Sequence, residues 1–297
     1  METIFIVNPM AGQGKIEKIT QKIKSLGAKM YITKSIGDAE RFVRMKCSDK
    51  PSVRFISCGG DGTFNEVLNG AIDNENAEIG IVPIGTGNDF CRNFDCDFSD
   101  ISALLDADTI KCDAIRYVTG DVTRYCANMF NIGFDCNVAD LTTQMKKKPF
   151  ISGPLAYFIS ILLVLIKKKG ADLKVEIDDK TVYDGPLLLT SLANGKFCGG
   201  GIKSNPEALL SDGEMNINIV KNIKRLKLLT ILPRYMNGTH MSIKNIEKII
   251  HNQPCKKVVI SPNSPSFRIC CDGEIQDAND ITFEIINKAF NFVLPIK

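Results

Sequence analysis

Histidine is nearly missing from this chain: only His240 and His251 occur among 297 residues. That argues against a histidine-built metal centre, since zinc sites usually draw on that side chain. Paired metal-binding cysteines are also lacking. The eleven cysteines are an odd, scattered set without a single Cys-x-x-Cys, and Cys91 and Cys96 have no histidine beside them. They read as free thiols of a reducing cytosol. No apolar run is long enough to cross a bilayer, because the longest, Leu155 to Ile166, has twelve residues with Tyr157 and Ser160 inside it. A spanning helix needs ~20. Strong charge imbalance is absent too, and a net charge of +3 gives no argument for a nucleic-acid partner. The first residues lack the basic start and cleavage signal of a secretory leader, so they are expected to form a strand. No internal repeat or low-complexity segment is evident. A composition 44% apolar and 24% charged excludes a largely disordered chain, and the length accommodates two domains.

The most informative stretch is Ser57-Cys58-Gly59-Gly60-Asp61-Gly62-Thr63-Phe64-Asn65-Glu66. Val53, Phe55 and Ile56 before it are of strand type, and Phe64, Val67, Leu68, Ala71 and Ile72 after it recur at helical spacing. Glycines at 59, 60 and 62 permit positive φ and a close approach to the backbone. Thr63 and Glu66 have the spacing of a capping box, which predicts that the helix begins where the glycines end. A helix N-terminus at the carboxyl end of a strand suits nucleotide phosphates. Asp61 does not suit a bare anion, and its presence there implies an intervening Mg²⁺. The competing reading is a tight strand-to-helix turn that binds nothing.

Two more junctions of this kind follow other strands. Thr3 to Val7 leads into Asn8-Pro9-Met10-Ala11-Gly12-Gln13-Gly14-Lys15, and Ile79 to Pro83 opens into Gly85-Thr86-Gly87-Asn88-Asp89-Phe90. The first is not a P-loop, because Ile16 follows Lys15, and not the dinucleotide fingerprint, because Glu17 occupies the third glycine position. Strands alternating with helices over residues 1 to 115 predict an α/β domain with a parallel sheet, whose loops gather along one edge.

Beyond that point strands dominate. The expected ones are Ile110–Val118, Arg124–Ile132, Leu173–Ile177, Leu187–Asn194, Met215–Val220, Lys257–Ile260, Phe267–Cys271, Ile281–Ile285 and Phe290–Leu294. They predict an antiparallel β-rich sandwich over 116–285, with the tail 286–297 able to pack back on the first domain. Helices are expected at Asp135–Met145, Leu155–Lys167 and Lys224–Tyr235. The second is bracketed by Lys146–Lys148 and Lys167–Lys169. Such lysines can dock an anionic membrane surface or simply mark the solvated ends of a buried helix, and Lys224 to Leu229 carries the same two readings.

Taken together these motifs resemble the diacylglycerol kinase catalytic-domain family, specifically its soluble bacterial diacylglycerol and lipid kinases. The resemblance covers nearly the whole chain. It rests on Asn8-Pro9, Gly59-Gly60-Asp61-Gly62-Thr63-x-Asn65-Glu66, Pro83-x-Gly85-Thr86-x-Asn88-Asp89, Gly199-Gly200-Gly201 ahead of Pro206, Asp212-Gly213 and Asp272-Gly273-Glu274. It implies a nucleotide-kinase or phosphofructokinase-like N-terminal domain, a C-terminal β domain, and a ligand cleft between them. It further implies that Asn8, Pro9, Met10, Ala11, Gly12 and Thr33 line an ATP pocket. By the same resemblance Gly60, Asp61, Gly62, Thr63, Phe64, Asn65 and Glu66 hold phosphates, and Thr86 touches the nucleotide. Asp212, with backbone oxygens of Leu209 and Glu214, corresponds to a second Mg²⁺ site. Glu274 corresponds to the general base, a role for which Asp61 competes. The implied protein is a cytoplasmic enzyme that associates peripherally with the inner face of the membrane and phosphorylates diacylglycerol or a related lipid, with a homodimer as an open assembly state. Sphingoid bases, ceramide, undecaprenol-like lipids and monoacylglycerol are alternative acceptors, and a nucleotide-binding regulator without catalysis is the alternative of a different class.

Overall fold

The computed structural model describes residues 1–12, 14–49, 52–133, 141, 170–272 and 274–295. Apart from Leu141, the helices expected over 135–145 and 155–167, with their flanking lysines, lie outside the described residues. The chain divides into two compact units. One comprises Met1–Ala114, Leu210–Gly213 and Ile286–Lys297, the other Ile115–Leu209 and Glu214–Ile285.

In the first unit, β1 (Glu2–Val7), β2 (Lys29–Ile32), β3 (Val53–Gly59) and β4 (Glu78–Pro83) pair in parallel in the order β4-β3-β1-β2. The later residues of the final strand of the chain, Asn291 and Phe292, extend the sheet in parallel beyond β4. Every residue of β3 is buried, as a near-continuous apolar run between two neighbours should be. Register aligns the strand ends: Val7 pairs with Ile32 and Cys58, and Gly59 with Pro83. The loops that follow β1, β3 and β4 therefore emerge on one edge. Between the strands run α1 (Lys15–Ser25), α2 (Asp38–Asp49) and α3 (Asp61–Ala71), and the short α4 (Ala103–Asp106) follows the β4 loop.

Phenylalanines fill the core beside α3. Phe64 lies 4.9 Å from Phe90 and 6.1 Å from Phe292, and Phe94 stacks on Phe292 at 5.1 Å. Arg54, buried on β3, pairs with Glu78 at 2.6 Å and donates to the carbonyls of Leu104, Leu105 and Ala107 at the end of α4. Those carbonyls would otherwise be orphaned at a helix terminus.

The second unit is predominantly antiparallel, as the strand-rich pattern predicts. The strands are β5 (Asp108–Thr119, from Ile115 onward), β6 (Val122–Cys126), β7 (Met129–Gly133), β8 (Ala171–Ile177), β9 (Lys180–Ala193), β10 (Met215–Lys221), β11 (Ile250–Cys255), β12 (Lys257–Pro262), β13 (Phe267–Cys271), β14 (Glu274–Ala278) and the opening of β15 (Ile281–Leu294). Their order runs β14-β13-β7-β9-β8-β12-β15, with β10 and then β11 added off β9 and β6 paired to β5. Phe130, Ile217, Val258, Ile269 and Phe283 belong to one buried cluster. The helix α5 (Arg225–Met236) packs Leu228, Ile231 and Tyr235 into a second cluster with Leu188, Leu189 and Val220. Among the described residues no helix is long and apolar enough to cross a membrane.

Several expected boundaries differ. The single strand expected over 124–132 is two, β6 and β7, separated at Ala127-Asn128, where Asn128 donates to Phe197 O at 2.8 Å and its carbonyl accepts from Asn194 and Gly195. The two strands expected over 281–285 and 290–294 are one, which passes through Lys288 at φ 53 without ending. The strands β11 and β14 carry no alternating pattern. Pro254 inside β11 is tolerated because among the described residues that strand pairs with β10 alone, as an edge strand does.

Candidate active site

The glycine stretch forms the tightest junction in the first unit. Only Gly60 separates β3 from α3, and the helix begins within the glycine run, at Asp61. No side chain caps this end. The expected capping box is therefore absent, because its two members are used elsewhere. Thr63 Oγ1 accepts from Asn8 Nδ2 at 3.0 Å, tying α3 to the loop after β1. Glu66 turns to the neighbouring helix, where its two oxygens accept the amides of Gly37 at 2.8 Å and Ala39 at 3.1 Å. It caps the start of α2 instead of its own helix.

The loop after β4 is held just as closely. Asp61 accepts the amides of Asn88 at 2.8 Å and Asp89 at 2.9 Å. Burial pushes its carboxyl above the usual range, and the amides of Asp89, Asn88, Phe90 and Asp61 itself oppose that shift. Gly60 and Gly85 meet backbone to backbone: a Cβ on Gly85 would sit 2.5 Å from Gly60 Cα, and one on Gly87 would sit 2.6 Å from Asp61 Oδ2. Gly12, at φ +72, approaches Ile84, whose carbonyl oxygen would be 2.9 Å from an added Cβ. Glycine is required at these contacts because any side chain would separate the loops. Asn8 completes the cluster, its amide bonded to Cys58 O at 3.1 Å and its Oδ1 accepting from Met10 N at 3.0 Å.

The structure thus brings Asn8, Gly12, Gly60, Asp61, Gly62, Thr63 and Thr86 onto the carboxyl edge of one sheet. Pro9, Met10 and Thr86 are exposed, while Thr33, at the end of β2, is buried with its amide bonded to Val7 O at 2.9 Å. Phe64 and Asn65 point inward, so any contact they make with a ligand is through backbone. An uncapped N-terminus of an eleven-residue helix, ringed by glycine loops, fits a phosphate chain.

Asp212 is exposed, and sequence reasoning missed its companion, Asp113. Asp113 is fully buried and accepts the amides of Lys288 at 2.6 Å and Gly213 at 2.7 Å. Burial raises its pKa, and the charge of Asp212 adds to the rise. Oxygen donors of this kind suit a hard cation such as Mg²⁺. The only signal in the sequence is a carboxylate set between the buried strand residues Cys112 and Ala114. Leu209 and Glu214 flank Asp212 in the chain, exposed and half-buried.

In the second unit, Glu274 is exposed at the start of β14 and pairs in register with Cys271 across the β13–β14 hairpin. Asp272, at φ 44, locks the approach by exchanging hydrogen bonds with the backbone of Met129, accepting at 2.9 Å and donating at 3.1 Å. Beneath it lie Cys126 and Cys271, whose sulfurs are within 4.8 Å of each other and of the Asp272 carboxylate. Burial pushes both thiols up. The cluster supports the turn two residues before Glu274.

Comparison with known proteins decides the family. Residues 2–117 match the model for the diacylglycerol kinase catalytic domain, and residues 128–294 match that for the YegS C-terminal NAD kinase beta sandwich-like domain. The chain belongs to the diacylglycerol and lipid kinase family. It is 30% identical to a diacylglycerol kinase of Staphylococcus epidermidis, over 80% of this chain and 75% of the relative. It is 28% identical to a Yersinia pestis protein named "Probable lipid kinase YegS-like", over 99% of this chain and 97% of that one. The fold is that of a Bacillus anthracis diacylglycerol kinase crystal structure, with a TM-score of 0.71 at 20% identity, covering 99% of this chain and 96% of the other. A kinase of this family implies ATP as the phosphoryl donor.

Proposed function

We propose that this kinase transfers the γ-phosphate of ATP, with Mg²⁺, to the free hydroxyl of diacylglycerol, giving phosphatidic acid. The observation that carries the reading is the uncapped N-terminus of α3, held open among three mutually fastened glycine loops. Phosphoryl transfer asks a protein mainly for alignment and charge neutralisation. The amides at Gly60 to Thr63 bind phosphate oxygens, and Asn8 to Gly12, Thr33 and Thr86 orient the nucleotide. Asp61 fixes the β4 loop against that cradle, a positioning role its two amide bonds already serve. Glu274 accepts the proton of the attacking hydroxyl as its oxygen bonds to the γ-phosphorus and the bond from that phosphorus to the bridging oxygen of the departing ADP breaks. Asp212, with the backbone oxygens of Leu209 and Glu214, would hold a second, structural Mg²⁺, whose charge would neutralise the carboxylate there. The enzyme works on the cytoplasmic side, reaching its substrate at the membrane surface.

The test is ATP-dependent phosphate transfer to a panel of lipid alcohols in mixed micelles, with Glu274→Ala beside the parent. Phosphatidic acid formed by the parent and lost in the variant supports the reading. Preference for a sphingoid base, ceramide, undecaprenol or monoacylglycerol would move the acceptor and leave the chemistry. ATP binding without transfer to any lipid would sink it.

A further inference from the structure

The helix α5 is unusual in what it shows to solvent. Its buried line is Leu228, Ile231 and Tyr235. At 100° per residue, the line opposite carries Leu226, Leu229, Thr230 and Pro233, all exposed and none charged, with Leu226 79% and Leu229 47% accessible. A helix on the surface of a soluble protein ordinarily turns a polar face outward. Here the crest is uncharged and mostly apolar, and the cations stand at its flanks, Arg225 on one side and Lys227 and Arg234 on the other.

On that second flank lies a depression of about 550 Å³. Lys227 and Arg234, two helical turns apart, form one wall, and Lys244 and Lys248 form the other. Thr230 and Asn245 add neutral polar groups, and among the described residues no carboxylate lines the depression. Glu247 is exposed on the same turn as Lys248 but does not line it. Among the described residues none of the four cations forms an ion pair. Four cations around one concavity, with no carboxylate partner among the described residues, repel each other unless an anion sits between them.

We propose that α5 and the depression beside it form the docking surface of this kinase for an anionic phospholipid bilayer, with a headgroup phosphate between Lys227, Arg234, Lys244 and Lys248 and the leucine crest in the interface. Charge complementarity names the lipid as anionic, and the exposed crest names a bilayer instead of a free phosphate or a nucleic acid, neither of which needs apolar insertion. Lysine and arginine stems lie along the interface while their heads reach phosphate. The inference rests on the proposed lipid substrate, since a kinase for a bilayer-borne alcohol must reach the headgroup plane.

The experiment is co-sedimentation of the full chain with vesicles of pure phosphatidylcholine or of phosphatidylcholine with about one-third phosphatidylglycerol, at low and high salt. Tight binding is expected only with phosphatidylglycerol, weakened by salt. The exposed double variant Lys227→Gln/Arg234→Gln should lose about twenty-five-fold, at about fivefold per cation. Leu226→Ser/Leu229→Ser should also bind more weakly, and its residual binding should remain salt-sensitive. Unchanged melting temperatures check that both variants fold. Equal binding by parent and both variants overturns the proposal, as does binding that ignores anionic lipid. Inorganic phosphate that binds as tightly as vesicles would show a soluble-anion site and overturn it too. Vesicle binding needs no turnover, so failure here beside active phosphorylation in micelles removes the docking surface and leaves the kinase.

Discussion

Asp61 Oδ2 accepts the backbone amide of Asn88 at 2.8 Å, while its other oxygen accepts that of Asp89 at 2.9 Å. A carboxylate with both oxygens committed to one loop acts as a fastener between the glycine turn after β3 and the loop after β4. Asp61→Asn keeps the shape but can accept on one oxygen only, and it turns an NH₂ toward the other amide. A stability loss of about 1–3 kcal/mol is expected in denaturant unfolding, together with a large fall in kcat. The pH profile of the residual activity separates the two roles of this residue. An acidic limb that persists in the variant marks a positioning group, whereas its disappearance would give Asp61 the proton-accepting role and remove Glu274 from it.

Glu66 offers a contrasting case within the same motif. Because it caps α2, Glu66→Ala should destabilise the protein by about 1–2 kcal/mol, read as a lower denaturation midpoint. Glu66→Gln should fall between parent and Ala, since one carbonyl oxygen remains to accept an amide. Equal stability of all three proteins would remove the cap.

His240 is fully buried against the ring of Tyr235, 5.0 Å away, and burial lowers its pKa below the ordinary 6.5. Its neutral form belongs to the folded state, so the unfolded chain takes up the proton first as pH falls. Stability attributable to this group is complete above the ordinary value and declines as pH drops through it toward the folded pKa. Melting temperature should therefore fall more steeply between pH 7.5 and 5.5 in the parent than in His240→Phe. Parallel slopes would contradict the assignment.

Thiol chemistry gives a fourth check. Burial pushes Cys112 and Cys255 up to about 12, and raises Cys58, Cys91 and Cys126 further. Thiolate is the reactive form. Among the described cysteines, a disulfide reagent at pH 8 should label only the partly exposed Cys47, Cys96 and Cys198 before unfolding. Early labelling of Cys126 or Cys271 would mean that the support beneath Asp272 opens readily.

Much of the first unit was legible because its signals are local. A glycine run between a β-branched strand and an amphipathic helix can be read from adjacent residues, and so can the loops after β1 and β4. What those side chains touch was not legible. Glu66 has the spacing of a capping box and serves a helix whose first residue lies 28 positions earlier, at Asp38. Asp113 gains its importance from amides at 213 and 288, and no window of sequence contains all three. In the second unit, β11 and β14 form because neighbouring strands offer them unpaired backbone, so polar residues such as His251, Asn252 and Gln276 are accepted at strand positions.

The last strand has a consequence for how the protein is made. Ile281–Leu294 gives its opening to the second unit and its close to the first, where Phe290 and Phe292 pack on Phe64 and Phe90. The first unit takes most of its residues from Met1–Ala114, yet its core lacks those rings until residues 290–292 are synthesised. On the ribosome it must wait, with Phe64 and Phe90 uncovered, while the whole second unit is translated. Early termination near residue 285 would then cost the first unit its packing, although the change lies more than two hundred residues from the glycines it disables.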